Sequence, residues 1–103
     1  MSELDKLEVY LKENDIAYER YEVNHRWECD EDSSVYIMDR HQICVPKDGK
    51  ECEWDAMCQY GSYGYEDGLL EIYGNIVDPK TDGDTVVGFL TAEDVIKRIN
   101  ARR

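Results

Sequence analysis

The stretch "HQICVPKDGKECEWDA" (residues 41–56) decides how this chain is organised. A segment rich in β-branched and aromatic residues, ending in Ile43 and Val45, leads into a polar run with Asp48-Gly49 at its centre, and Trp54 and Ala56 follow it. That is the signal of a β-hairpin with a two-residue turn. The turn pairs Val45 with Cys52 and Ile43 with Trp54, which puts Ile43, Val45, Trp54 and Ala56 on one apolar face. It also sets Pro46 opposite Glu51 at a non-hydrogen-bonded position, where its missing N–H costs the ladder nothing. A three-residue loop with a glycine bulge would pair Cys44 with Cys52 and bring Ile43 and Val45 beside Glu51 and Glu53. A one-residue slip exchanges the two faces of a strand, so the two-residue turn is the reading that builds a core.

Outward from the hairpin, "VYIMDR" (residues 35–40) extends its first strand. At the N-terminal side, "SELDKLEVYLKEND" spaces Leu4, Leu7 and Leu11 by three and four residues, one face of a helix capped by Ser2. "IAYERYEV" reads as an irregular extended segment and "NHRWECDEDSS" as a polar loop. Beyond the hairpin, Leu69, Ile72, Tyr73 and Ile76 fall at helical spacing, and Asp78-Pro79 is the expected stop. "KTDGD" is a turn and "TVVGFL" a short strand. "TAEDVIKRI" opens a helix with Thr91 and Asp94 as a capping box and Val95, Ile96 and Ile99 as its apolar stripe. The expected fold is one α+β domain over residues 1–103: a small antiparallel sheet around a central hairpin, flanked by about three helices.

A chain of 103 residues buries one modest core. No apolar run is long enough to cross a membrane, and the charged N-terminal sequence is unlike a secretion signal. The expected location is the cytoplasm. Charge is the outlying quantity: 24 acids against 12 bases give −12. Residues 28–94 hold 17 acids and 4 bases, a net of −13. Direct binding of DNA or RNA is not expected, because its affinity comes from lysine and arginine neutralising phosphates. The acid excess fits either a well-hydrated surface or a partner whose own surface is basic.

No catalytic signature is present. His25 and His41 sit in no zinc-hydrolase or nucleophile-elbow pattern. Adjoining strands could bring Cys58 near His41 as a nucleophile–base pair; the favoured alternative is that both are structural. Gly61, Gly64 and Gly68 are followed by no Lys-Ser/Thr and lie in an acidic segment, so they make no phosphate loop. The expectation is a binding protein and not an enzyme.

Cys29, Cys44, Cys52 and Cys58 are four thiols in a short chain. In a reducing compartment that number suggests a structural zinc ion more than crosslinks. The spacings lack the two-residue knuckle of a strong zinc motif, and His25 or His41 could replace a thiol. Cys52 and Cys58 on a straight strand would lie roughly 20 Å apart, so a shared ion requires a bend near Asp55. Buried free cysteines are the competing reading.

Tyr60, Tyr63 and Tyr65 are separated by small residues in "QYGSYGYEDG", presenting flat amphipathic rings of the kind that anchor protein interfaces. The blocks "WDAMCQYGSYGYEDGLLEIYG" and "GFLTAEDVIKRI" resemble a family of small acidic proteins of bacteria, phages and mobile elements. The chain is similar to type II anti-CRISPR inhibitors. That resemblance implies a partner, the type II RNA-guided effector nuclease, whose target DNA would be kept from loading or from being cut. Such nucleases carry nucleic acid in a positively charged channel. The residues expected to meet the partner are Asp30, Glu31, Asp32, Tyr63, Tyr65, Glu66 and Asp67. The alternative is a phage or bacterial accessory domain with a structural zinc site and an unknown protein partner.

Overall fold

The computed structural model describes residues 1–29 and 34–102, with only the backbone of residues 25–29 and 34–38. Helix α1 (Glu3–Glu13) leads into strand β1 (Glu19–Cys29), followed by β2 (Ser34–Val45) and β3 (Trp54–Met57). A single 3-10 turn (Tyr65–Asp67) precedes β4 (Leu70–Gly74). The short helix α2 (Pro79–Asp82), strand β5 (Val86–Leu90) and helix α3 (Ala92–Ala101) complete the chain. The strands form one antiparallel sheet in the order β1-β2-β3-β4-β5. This is the expected α+β class, with a larger sheet than the hairpin alone suggested.

Both long helices start where their caps dictate. Ser2 and Thr91 each accept a hydrogen bond from the third helical residue, Asp5 and Asp94, whose carboxylates reach back to the cap amides. Their leucine, valine and isoleucine stripes lie on the face of the sheet made by Ile43, Val45, Trp54, Ala56, Leu70 and Ile72, all buried. The helices also hold each other. The Ala92 amide donates to Glu3 at 2.8 Å, and the Tyr10 hydroxyl donates to Asn100 at 2.7 Å. No described helix is long and apolar enough to cross a membrane.

The hairpin register differs from the two-residue turn. Val45 pairs with Trp54 and Ile43 with Ala56. Pro46–Glu53 is therefore a long loop, and Pro46, Glu51 and Cys52 are not ladder residues. The loop is closed by its own bonds: the Glu53 amide donates to the Val45 carbonyl at 2.7 Å and the Cys52 amide to the Gly49 carbonyl at 3.1 Å. Arg40 grips Asp48 at 3.0 Å, and the Asp48 amide donates to Glu19 at 2.9 Å, which folds the loop against the edge of the sheet. The shift amounts to two residues, an even number, so the four expected core residues keep their common face.

Three further readings are corrected. The segment around Leu69–Ile76 is strand β4, not a helix. Leu70 and Ile72 are buried while Tyr73 is exposed, and Gly74 pairs closely with Trp54. A Cβ at Gly74, whose φ is 114°, would lie 2.6 Å from the Trp54 Cα. Asp78-Pro79 does not end a helix but begins α2, with the Asp78 carboxylate accepting from the Lys80 amide and proline at the first turn. The residues expected as an irregular segment and polar loop, Glu19–Cys29, form β1, paired with β2 along its whole length. Before Gln42, residues 34–41 of β2 have only β1 as a strand neighbour among the described residues.

Candidate functional site

The tyrosine-glycine segment leaves β3 and returns to β4 at one end of the sheet, beside β5. Its shape follows from its own short-range bonds. Ser62 closes a turn on Gln59, its amide donating to the Gln59 carbonyl at 2.8 Å. The Gly64 carbonyl accepts from the Asp67 and Leu69 amides at 3.0 and 2.9 Å. Gly64 has a φ of 97°, and a Cβ there would lie 2.9 Å from Leu69 and 3.1 Å from the Phe89 backbone, so only glycine fits without movement. Neighbouring elements anchor the rest. Asp39 of β2 accepts from the Tyr60 amide at 2.7 Å, Glu71 of β4 from the Tyr63 amide at 3.0 Å, and the Phe89 amide donates to the Tyr63 carbonyl at 3.3 Å.

Despite this anchoring of the backbone, the rings remain outside. Tyr60 and Tyr63 are each 60% exposed, Phe89 is 61% exposed, and Tyr65 is also exposed. The Tyr60 and Tyr65 rings meet edge to face with centroids 6.1 Å apart. With Tyr63, Phe89, Glu66 and Asp67 they bound an open groove of about 410 Å³. The structure thus brings together four of the expected partner residues, Tyr63, Tyr65, Glu66 and Asp67. Asp30, Glu31 and Asp32 lie outside the described residues. Sequence reading missed Phe89: it lies far along the chain in "TVVGFL", and its only local signal is an apolar ring beside Gly88.

A second cavity, about 480 Å³, lies between the start of α1 and the sheet, lined by residues that include Arg20, Glu22, His41 and Cys58. His41 and Cys58 are neighbours, since the Cys58 amide donates to the His41 carbonyl at 2.9 Å. The imidazole is nonetheless committed elsewhere. Nδ1 contacts Glu22, and Nε2 contacts Asp39 at 2.6 Å. The hydrogen bond to Glu22 raises the His41 pKa; burial opposes this and Asp39 adds to the rise. Burial pushes the Cys58 thiol up, and Asp39 and Glu22 push it further. Both imidazole nitrogens are already engaged by carboxylates and neither is turned to Cys58, and a thiol with a raised pKa is the opposite of an activated nucleophile. The cluster acts as an electrostatic tie. Arg20 extends it, reaching Asp5 at 2.8 Å, Glu8 at 3.2 Å and Glu22 at 2.6 Å.

The expected zinc ligands are spread through the fold. Cys29 faces Ser34 at one end of the β1–β2 ladder, ten residues along β2 from Cys44, a span of roughly 33 Å. Along this ladder the two backbone positions are separated by far more than the reach of a single ion's ligands. Cys44 is buried, and burial raises its pKa to about 12, with Cys52 and Asp48 adding to the push. The Cys52 thiol donates to the Trp54 carbonyl at 3.3 Å, while Cys58 packs against the main core. Among the described residues no group of three or more His, Cys, Asp or Glu side chains is arranged to hold a metal.

No family model, curated protein or solved structure matches this chain.

Proposed function

We propose that this protein is a binding protein that inhibits a type II RNA-guided nuclease by occupying a basic surface needed for target DNA. The observation that carries the reading is the exposed aromatic groove with Glu66 and Asp67 at its side, on a chain with a net charge of −12. Exposed aromatics on a backbone tied down by glycine turns and three neighbouring strands are pre-ordered for contact, which lowers the entropic cost of association. The acid excess supplies attraction and orientation toward a positively charged channel. The resemblance of "YGSYGYEDGLLE" to small acidic proteins of phages and mobile elements supplies the choice of partner.

Target cleavage by a purified type II effector, with and without this protein, tests the reading. Inhibition is expected when the protein is added before target DNA and is weaker when it is added after. Reversing Glu66 and Asp67 to lysine weakens inhibition and its dependence on salt, while Tyr63→Ala mainly speeds dissociation. Equal affinity for the free and DNA-loaded effector overturns DNA exclusion, and absence of binding to every type II effector tested overturns the choice of partner.

A further inference from the structure

We infer that the groove bounded by Tyr60, Tyr63, Tyr65 and Phe89 is a seat for an arginine side chain of the partner protein. This rests on the reading of the protein as one that binds a basic partner, and it names the group that is gripped. Three observations converge. The walls are aromatic faces and edges, and the rim carries two carboxylates, Glu66 and Asp67; among the described residues no lysine or arginine lines the groove. A planar guanidinium stacks on tyrosine while its N–H fork reaches carboxylates, a combination that an ammonium matches less well. The protein already makes this contact within itself: the Arg40 guanidinium carbon lies 3.8 Å from the centre of the Tyr21 ring, and the same side chain donates to Asp48.

Phe89 supplies the third observation. Its φ is 60°, a left-handed conformation that disfavours a bulky side chain. The strain does not serve the core, because the ring is 61% exposed. It falls where the β4–β5 register shifts between Leu70 and Ile72, beside the close packing of Gly88 on Tyr63 and the Phe89–Tyr63 backbone bond. Its effect is to set an apolar ring at the groove's wall. The irregularity presents this exposed ring to the groove, where a bound side chain would cover it.

The probe is acetyl-Gly-Arg-Gly-amide, titrated into the intact protein while the ring proton resonances of Tyr60, Tyr65 and Phe89 are followed by NMR. Saturable shifts are expected, with the citrulline version of the peptide binding about tenfold more weakly because it keeps the shape and loses the charge. Glu66→Gln with Asp67→Asn should reproduce that loss. Phe89→Asn should leave the melting temperature unchanged or higher, since asparagine tolerates the left-handed conformation, and still weaken the peptide several-fold; Tyr60→Ala gives a second reading should Phe89→Asn fold poorly. Equal shifts with arginine and citrulline peptides, or no shift with either, overturn the inference. Groove resonances that move with protein concentration alone assign the groove to a second copy of this chain and also overturn it. Nuclease inhibition that survives loss of arginine binding removes the groove's role and spares the inhibitor reading; arginine binding without nuclease inhibition does the reverse.

Discussion

Trp54→Ala tests the hairpin face on which the rest of the fold is built. Trp54 is 6% exposed and sits in β3 between Val45 of β2 and Gly74 of β4. A tryptophan buries about 200 Å², which at about 25 cal/mol per Å² is worth about 5 kcal/mol. Alanine keeps the Cβ share of that area, and some of the cavity collapses. One neighbour, Gly74, has no side chain to move in, and Ile43 and Val45 are fixed by the ladder, so collapse is limited. A loss of about 4 kcal/mol is expected, inside the usual range for large aromatic truncations. Domains of this size have about 5–10 kcal/mol in total, so the variant should be close to unfolding at room temperature. Urea titration followed by far-ultraviolet circular dichroism is the suitable assay, because it does not depend on the fluorescence of the residue removed. Trp54→Phe, expected to lose about 1–2 kcal/mol, keeps the comparison measurable. A loss below about 1 kcal/mol for alanine, with unchanged denaturant dependence, would show that Trp54 is not in the core and refute the face assignment.

Stability should depend on pH through His41. Its pKa is raised above 6.5 in the folded protein by Glu22 and Asp39. The protonated form therefore contributes stability that is fully present below about 6.5 and lost as pH rises through the folded-state value. Melting temperatures measured from pH 6 upward should fall over that window, and His41→Gln should flatten the fall; an unchanged slope in the variant would place the dependence elsewhere. Thiol labelling followed by mass spectrometry should find Cys44 last among Cys44, Cys52 and Cys58, reacting only on unfolding, because it is buried and its thiol titrates at about 12. If zinc is found by elemental analysis, Cys29→Ser should leave its content unchanged, given the ladder distance from Cys44; loss of the ion in that variant would require Cys29 as a ligand in another arrangement of the chain.

Local pattern was enough wherever one period had one interpretation. The leucines of α1 and the Thr91–Asp94 capping box specify helices without outside help, because caps and three-four spacing are satisfied within a dozen residues. The two-residue alternation of Ile43, Val45, Trp54 and Ala56 likewise fixed which side chains face inward, and an even register shift could not disturb it. Which residues pair was a different matter. The Asp48-Gly49 turn competes with long-range anchors, Arg40 to Asp48 and Glu19 to the Asp48 amide, and those contacts enlarged the loop. "LLEIYG" carries helical and strand spacing at once; two flanking strands that could take its backbone hydrogen bonds decided for β4. The tyrosines and acids of the groove were legible as a surface cluster. Phe89 was not, because it reaches them only through the pairing of β4 with β5 and the close approach of Gly88 to Tyr63, contacts between residues about 25 positions apart that no local spacing encodes.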